Sequence, residues 1–117
     1  MSITRFHTNA RMSQAVVHNG VVYLAGQVAA DADADVAGQT RSVLERIDAL
    51  LAEVGTDKNR LLSATIILRD VDNGYGPMNE VWDAWVPEGQ APARACIEAH
   101  LASPKLLVEI CIVAAVD

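Results

Sequence analysis

The stretch that decides the fold is residues 106–116, which read LLVEICIVAAV near the carboxyl end of the chain. Successive side chains of a strand point to opposite faces, so this stretch divides into two alternating sets. Both sets are apolar apart from one glutamate: Val108, Ile110, Ile112 and Ala114 form the first, and Leu107, Glu109, Cys111, Val113 and Ala115 form the second. A strand that is apolar on both sides is typical of burial on both sides. We therefore expect a central strand with protein covering each face of its sheet.

The N-terminal third is predicted to form further strands. Residues 3–8 read as a short strand, and residues 15–18 (AVVH) and 21–24 (VVYL) flank Asn19-Gly20. Asn-Gly favours a type I′ turn because both central residues tolerate positive φ, so this pattern predicts a hairpin.

Two helices are predicted from apolar residues at helical spacing. The first follows Asp35, a good N-cap, and ends at Gly55, which tolerates a left-handed conformation. The second is expected to begin near Pro77, with Asn79 in its first turn, and to end at Pro87. Their apolar stripes are Val36, Thr40, Val43, Leu44, Ile47, Leu50, Leu51 and Val54 in the first, and Met78, Val81, Trp82 and Trp85 in the second.

With strands at residues 61–69, 91–99 and 106–116, the predicted order is β-β-β-α-β-α-β-β, an α+β fold. Two helices can cover one face of the sheet. A chain of 117 residues has nothing left to cover the other face. We therefore expect a second subunit there, since closed cyclic oligomers are the usual solution.

Composition limits the class of protein. The chain has 117 residues, which predicts one domain over residues 1–117, and 51% hydrophobic content indicates a globular fold. A net charge of −6 repels phosphate backbones and disfavours general nucleic-acid binding. Two cysteines make no disulfide framework, and we find neither a secretory leader nor an apolar run long enough to cross a membrane. A cytoplasmic protein is the expectation.

Two charges, Arg94 and Glu109, stand within otherwise apolar strands. Leaving either ion buried alone would cost about 3–5 kcal/mol, so each is expected to pair, to face a cavity or to lie at an edge. The last two strands could pair antiparallel in a register in which the residue numbers of each pair add up to an odd number. One face would then carry Arg94, Cys96, Glu98, Glu109 and Cys111. An even sum puts Arg94 and Glu109 on opposite faces and excludes a site that they share. The sequence leaves both registers open, and a structural ion pair is as good an interpretation as a site.

These residue types fit carboxylate chemistry. An arginine can hold a substrate carboxylate with two hydrogen bonds, and a nearby carboxylate can deprotonate water or pass a proton. Cys96 would be a nucleophile only if its pKa were lowered, and a small buried hydrophobe is the favoured interpretation. Gly26, in Ala25-Gly26-Gln27, marks either a bulge or backbone that faces a ligand. Asn79 either caps the helix or bonds to a neighbour or ligand.

No metal site is predicted. His7, His18 and His100 lack the spacing of metal ligands. Asp31, Asp33 and Asp35 resemble the start of a calcium loop, but the turn glycine and the bidentate glutamate of such a loop are missing.

Three segments resemble the Rid family, also called YjgF-like proteins. They are residues 24–28 (LAGQV), residues 78–82 (MNEVW), and residues 91–98 (APARACIE) followed by Val108-Glu109-Ile110. The similarity covers nearly the whole chain in the family's order. It implies a chorismate-mutase-like fold of the bacillus type, with a mixed sheet backed by two helices and three subunits joined as a trimer. It also implies ligand sites between subunits and hydrolysis of reactive enamines and imines, such as 2-aminoacrylate, to a ketoacid and ammonia without a cofactor.

The resemblance also implies residue roles. Arg94 would hold the substrate carboxylate, Glu109 would position water and manage protons, Cys96 would line the cleft, Gly26 would offer backbone groups, and Asn79 would support the wall. Ala25 stands where many deaminases of the family have serine, and Met12 stands near where one subgroup has a tyrosine facing the substrate. Two polar contacts are therefore absent from this chain.

Two other functions remain as alternatives. The same Arg94 could serve a non-catalytic trimer that binds a ketoacid or another carboxylate metabolite. A ribonuclease or translation inhibitor, an activity ascribed to some relatives, is disfavoured by the charge of −6 and by the absence of a basic stripe.

Overall fold

A computed structural model describes residues 2–117, which form one mixed sheet and two helices. The strands are β1 (Thr4–Phe6), β2 (Ala15–His18), β3 (Val21–Leu24), β4 (Gln27–Val28), β5 (Leu61–Leu68), β6 (Ala93–Glu98) and β7 (Val108–Ala115). The spatial order is β1-β2-β3-β7-β5-β6, and the short β4 pairs with β7. The α+β class and the mixed sheet with two helices are thereby confirmed, and β4 is an element that the sequence did not predict.

The predicted hairpin and the first helix are present with the expected ends. Asn19 and Gly20 have φ values of 52° and 74°, and they join β2 to β3. Helix α1 (Val36–Glu53) begins where the Asp35 carboxylate accepts a hydrogen bond from the Gly38 N–H. It ends before Gly55, whose φ is 90°.

Helix α2 (Val71–Trp85) begins earlier than predicted. Asp70 is its N-cap and accepts hydrogen bonds from the backbone and the side chain of Asn73. Pro77 therefore lies inside the helix, and the prediction that Pro77 and Asn79 occupy the first turn is wrong. Proline was a misleading signal because its missing N–H weakens a helix interior without always ending it.

The last two strands are not neighbours. β6 runs parallel to β5, and β5 separates it from β7, which runs antiparallel to β5. Arg94 aligns with Ala64, and Ala64 aligns with Ile112. Arg94 and Ile112 therefore lie on the same face, and their residue numbers add up to an even number. Since Glu109 is an odd number of residues from Ile112 on β7, Arg94 and Glu109 point to opposite faces of the sheet.

One face of the sheet packs on both helices and forms the core. Ile66, Ile110 and Ile112 of the sheet are buried against residues such as Ile47 and Met78. The opposite side, which we call the open face, is covered by neither helix. Its residues include Tyr23, Thr65, Ile67, Ile97, Glu109, Cys111 and Val113. Tyr23 and Ile97 are 50% and 49% exposed.

Candidate functional site

Arg94 lies on β6, the edge strand, on the side of the sheet that faces α2. Its Nη1 donates a hydrogen bond of 2.8 Å to Asn79 Oδ1, and its Nη2 donates one of 3.3 Å to the Tyr75 hydroxyl. The guanidinium carbon also lies 5.6 Å from the ring centre of Trp82 and 5.9 Å from that of Tyr75. Contacts at these distances stabilise a cation on an aromatic face.

The charge of Arg94 has no counter-ion in the part of the chain that the structure describes. Within residues 2–117 the ion pairs are His7–Glu53, Arg60–Asp117 and Lys105–Asp33, and none includes Arg94. The residue is half-buried, with both side-chain partners neutral. A half-buried cation held by neutral acceptors favours an external anion as its partner.

Cys96 lies two residues along the same strand and packs against the core. Burial raises the pKa of its thiol, and the nearby Arg94 charge only partly opposes that effect. The thiol is therefore protonated at neutral pH, which favours its interpretation as a small hydrophobe over that of a nucleophile.

Glu109 occupies the open face, next to Gly26. A Cβ atom on Gly26 would overlap Glu109 Oε2 and lie 2.8 Å from its Cδ. The absence of a side chain at residue 26 therefore makes room for the carboxylate. Within the described residues, no side chain forms a hydrogen bond or an ion pair with Glu109.

Gln27 fixes the segment before it. Its side chain is buried, and Nε2 donates to Gln14 Oε1 at 2.9 Å and to the Ala25 carbonyl at 3.0 Å. The Ala25 N–H in turn donates to the Gln14 carbonyl at 2.9 Å. Ala25 and Gly26 are thus held in place beside Glu109 by backbone and glutamine contacts.

The structure divides the predicted residues into two groups. Arg94, Asn79 and Cys96 lie on the helix side, whereas Gly26 and Glu109 lie on the open face. The register in which Arg94 and Glu109 share a face is not formed, so one chain does not bring them together. Met12 is 41% exposed in the loop before β2, where its N–H donates to Asn9 Oδ1.

A family model described as Endoribonuclease L-PSP matches residues 2–116. The chain belongs to this family. The E. coli K12 RutC family protein YoaB is 47% identical over 116 residues, spanning 99% of this chain and 100% of that protein. A RutC family protein of Haemophilus ducreyi is 46% identical over 115 residues, spanning 98% and 97%.

Solved structures of this family have the same fold. A YjgF family member from Neisseria meningitidis is 49% identical with a TM-score of 0.95, covering 100% of this chain and 97% of its own. A Rid family protein from Yersinia pestis is 29% identical with a TM-score of 0.88, covering 98% and 100%. The resemblance to Rid and YjgF-like proteins is confirmed.

Three residues that the sequence analysis did not name as site residues lie beside the Arg94 group or the Glu109 group in the structure. Tyr75 and Trp82 contact Arg94, and Gln27 fixes the backbone near Glu109. Tyr75 lies four residues before Asn79 on one helix face, a spacing that would have revealed it had α2 been predicted from Asp70.

The groove between α1 and α2 is separate from the Arg94 group and from the Glu109 group. This groove of about 520 Å³ is lined by residues such as Arg41, Leu44 and Trp85, and includes none of the predicted site residues. Within residues 2–117, no group of three or more potential ligands could hold a metal ion. No helix in that range is both long and apolar enough to span a membrane.

Proposed function

We propose that this protein is a cytoplasmic imine and enamine deaminase that acts on small carboxylate-bearing intermediates. The observation that carries the proposal is Arg94, a half-buried cation that has no counter-ion among residues 2–117 and that contacts Asn79 and the ring of Trp82. Such a group binds a carboxylate with two charge-assisted hydrogen bonds. The similarity to a Rid family protein supports the same choice, because the resemblance to that family implies hydrolysis of enamines and imines.

The reaction is a hydrolysis. An enamine is first protonated at carbon, and an imine at nitrogen, to give the iminium ion. Water adds to the iminium carbon, and one proton moves from the added oxygen to the nitrogen. The C–N bond then breaks with loss of ammonia, and the protonated carbonyl gives up its remaining proton to leave the ketoacid. The iminium carbon is already electrophilic, so positioning and one proton shuttle suffice, and no cofactor is required.

Glu109 is the proposed proton shuttle, contributed by a neighbouring subunit. In one chain it lies on the opposite face from Arg94, but β6 is an edge strand, so Arg94 lies at the margin of the sheet. We propose a trimer of chorismate-mutase-like subunits in which the open face of one subunit meets this margin of the next. The exposed Tyr23 and Ile97 and the half-buried Val113 support burial of the open face.

Ala25 and Met12 are proposed to shape specificity. Neither offers a polar side chain, and Met12 is exposed at the loop before β2. The pocket is therefore expected to favour imines with bulkier or more apolar side chains than 2-aminoacrylate.

An imine-trapping assay tests the proposal. An amino-acid oxidase generates imines from a panel of amino acids, and semicarbazide traps those that survive. Wild type is expected to reduce trapping and Arg94→Ala to lose that effect, because the carboxylate anchor is removed. Arg46→Ala, an exposed arginine on α1, is the matched control. Full activity of a folded Arg94→Ala variant would refute the anchor role.

A non-catalytic carboxylate-binding trimer is the second candidate. It is favoured by the placement of Glu109 on the opposite face of the sheet from Arg94, since a single chain does not bring that carboxylate to the anchor. Ketoacid affinity without turnover of any imine would select it. The endoribonuclease in the family's description fits this chain poorly because of its charge of −6.

A further inference from the structure

Tyr75 is a half-exposed residue that the proposed function does not use. Its side chain is 45% exposed on α2, four residues before Asn79. Its hydroxyl oxygen accepts a hydrogen bond from Arg94 Nη2, and its ring lies 5.9 Å from the guanidinium carbon. Tyr75 therefore contacts Arg94 through both a hydrogen bond and its ring, which indicates a role in the position of the guanidinium group.

The two acceptors on α2 act on different nitrogens of Arg94. Asn79 holds Nη1 and Tyr75 holds Nη2. One acceptor alone would leave the guanidinium free to pivot about that hydrogen bond. Two acceptors from one rigid helix fix both the direction and the plane of the group.

A fixed guanidinium plane has a consequence for ligand choice. Arginine carries five N–H donors, and two of them are used by α2. The donors that remain lie in one defined plane, which matches the two coplanar oxygens of a carboxylate. Fixing this plane before binding also reduces the conformational entropy that the ligand must remove.

We propose that Tyr75 is a positioning residue that orients Arg94 for two-point binding of a planar carboxylate. The proposal rests on the assignment of Arg94 as the carboxylate anchor in the proposed function. It assigns Tyr75 no contact with the reacting atoms. Its effect is therefore expected in ligand affinity and not in the chemical step.

Tyr75→Phe is the direct test because it removes the hydroxyl and keeps the ring beside Arg94. Calorimetric titration with 2-oxobutanoate is expected to show affinity about 5–10-fold below wild type, the loss typical of one net hydrogen bond at a half-exposed position. The neutral amide of the same ketoacid serves as the control ligand, and its affinity is expected to be equal in the two proteins. An equal loss for acid and amide, or no loss for the acid, would overturn the proposal.

Kinetics provide a second readout that a general structural defect would not reproduce. With an imine substrate, Tyr75→Phe is expected to raise KM by the same factor and to leave kcat near wild type, because the contact is equal in ground and transition states. A fall in kcat with unchanged KM would overturn the positioning role.

The two proposals fail in different ways. Wild type that binds 2-oxobutanoate but hydrolyses no imine refutes the deaminase, while the comparison of Tyr75→Phe with wild type still decides the role of Tyr75. Wild type that binds no 2-oxobutanoate refutes both, because the carboxylate anchor is then absent.

Discussion

Gly26→Ala is the substitution that most directly tests whether the position of Glu109 matters. The added Cβ would overlap Glu109 Oε2 and lie 2.8 Å from Cδ and 3.1 Å from Cγ. An ordinary contact begins at 3.4 Å, so Cδ must retreat by about 0.6 Å and the oxygen by more. The atoms that must move are the far end of a flexible side chain, so the change is expected to displace the carboxylate and not the backbone.

The expected effects on stability and on activity are very different in size. Moving one half-buried side chain to a poorer rotamer costs about 0.5–1.5 kcal/mol of folding stability. A catalytic group displaced by about 1 Å loses roughly 100-fold in rate. Gly26→Ala is therefore expected to be folded and nearly as stable as wild type, yet about 100-fold lower in kcat/KM for imine hydrolysis.

The measurement pairs thermal unfolding with the imine-trapping assay. Gly74→Ala is the matched control, because its new Cβ would lie 3.6 Å from Val36 and 3.7 Å from Leu68, which are ordinary contacts far from Glu109. This control is expected to retain wild-type activity. A folded Gly26→Ala variant with wild-type kcat/KM would refute the argument that the Glu109 position is critical.

Two further predictions concern assembly and stability. Val113→Asp places a charge on the open face and is expected to dissociate the oligomer in sedimentation experiments while α1 and α2 remain folded; an oligomer of unchanged mass would contradict burial of that face. Ile112 is unsuitable for this test because it is buried beneath the helices. Asp70→Ala removes the N-cap of α2 and is expected to lower Tm at pH 7, whereas Asp70→Asn retains an acceptor and is expected to lower it less. Hydrogen bonds from the Asn73 side chain and backbone hold the pKa of Asp70 below its ordinary value of 3.8, so this stabilisation is present above that pH and is lost as the pH falls through the lower folded-state pKa. A Tm difference between wild type and Asp70→Ala that stays constant down to about pH 2 would contradict this assignment.

Local signals in the sequence were sufficient for α1 and for the β2–β3 hairpin. Asp35 and Gly55 mark the ends of α1, and Asn19-Gly20 marks the turn, because each acts through its own backbone geometry. The start of α2 was less clear because Pro77 offers the same local signal inside a helix as at its beginning. The true start is marked by Asp70, whose carboxylate accepts hydrogen bonds from Asn73 three residues later.

The pairing of β6 could not be predicted from local patterns. The chain passes from β5 through α2 to a parallel neighbour, and the sequence separation of β6 and β7 suggested a hairpin instead. Arg94 and Glu109 were both found from their charge in apolar strands. Their placement on opposite faces depends on the central position of β5, which is a property of the whole sheet.

The two cysteines lie on opposite faces of the sheet, so each can report on the face that it occupies. Cys96 lies on the helix side near Arg94, and Cys111 lies on the open face near Glu109, with β5 between their strands. Burial raises the pKa of each thiol, so alkylation is slow at neutral pH and accelerates as the pH rises. In single-cysteine variants, the labelling rate at Cys96 becomes a probe of occupancy beside Arg94. The labelling rate at Cys111 becomes a separate probe of what covers the other side.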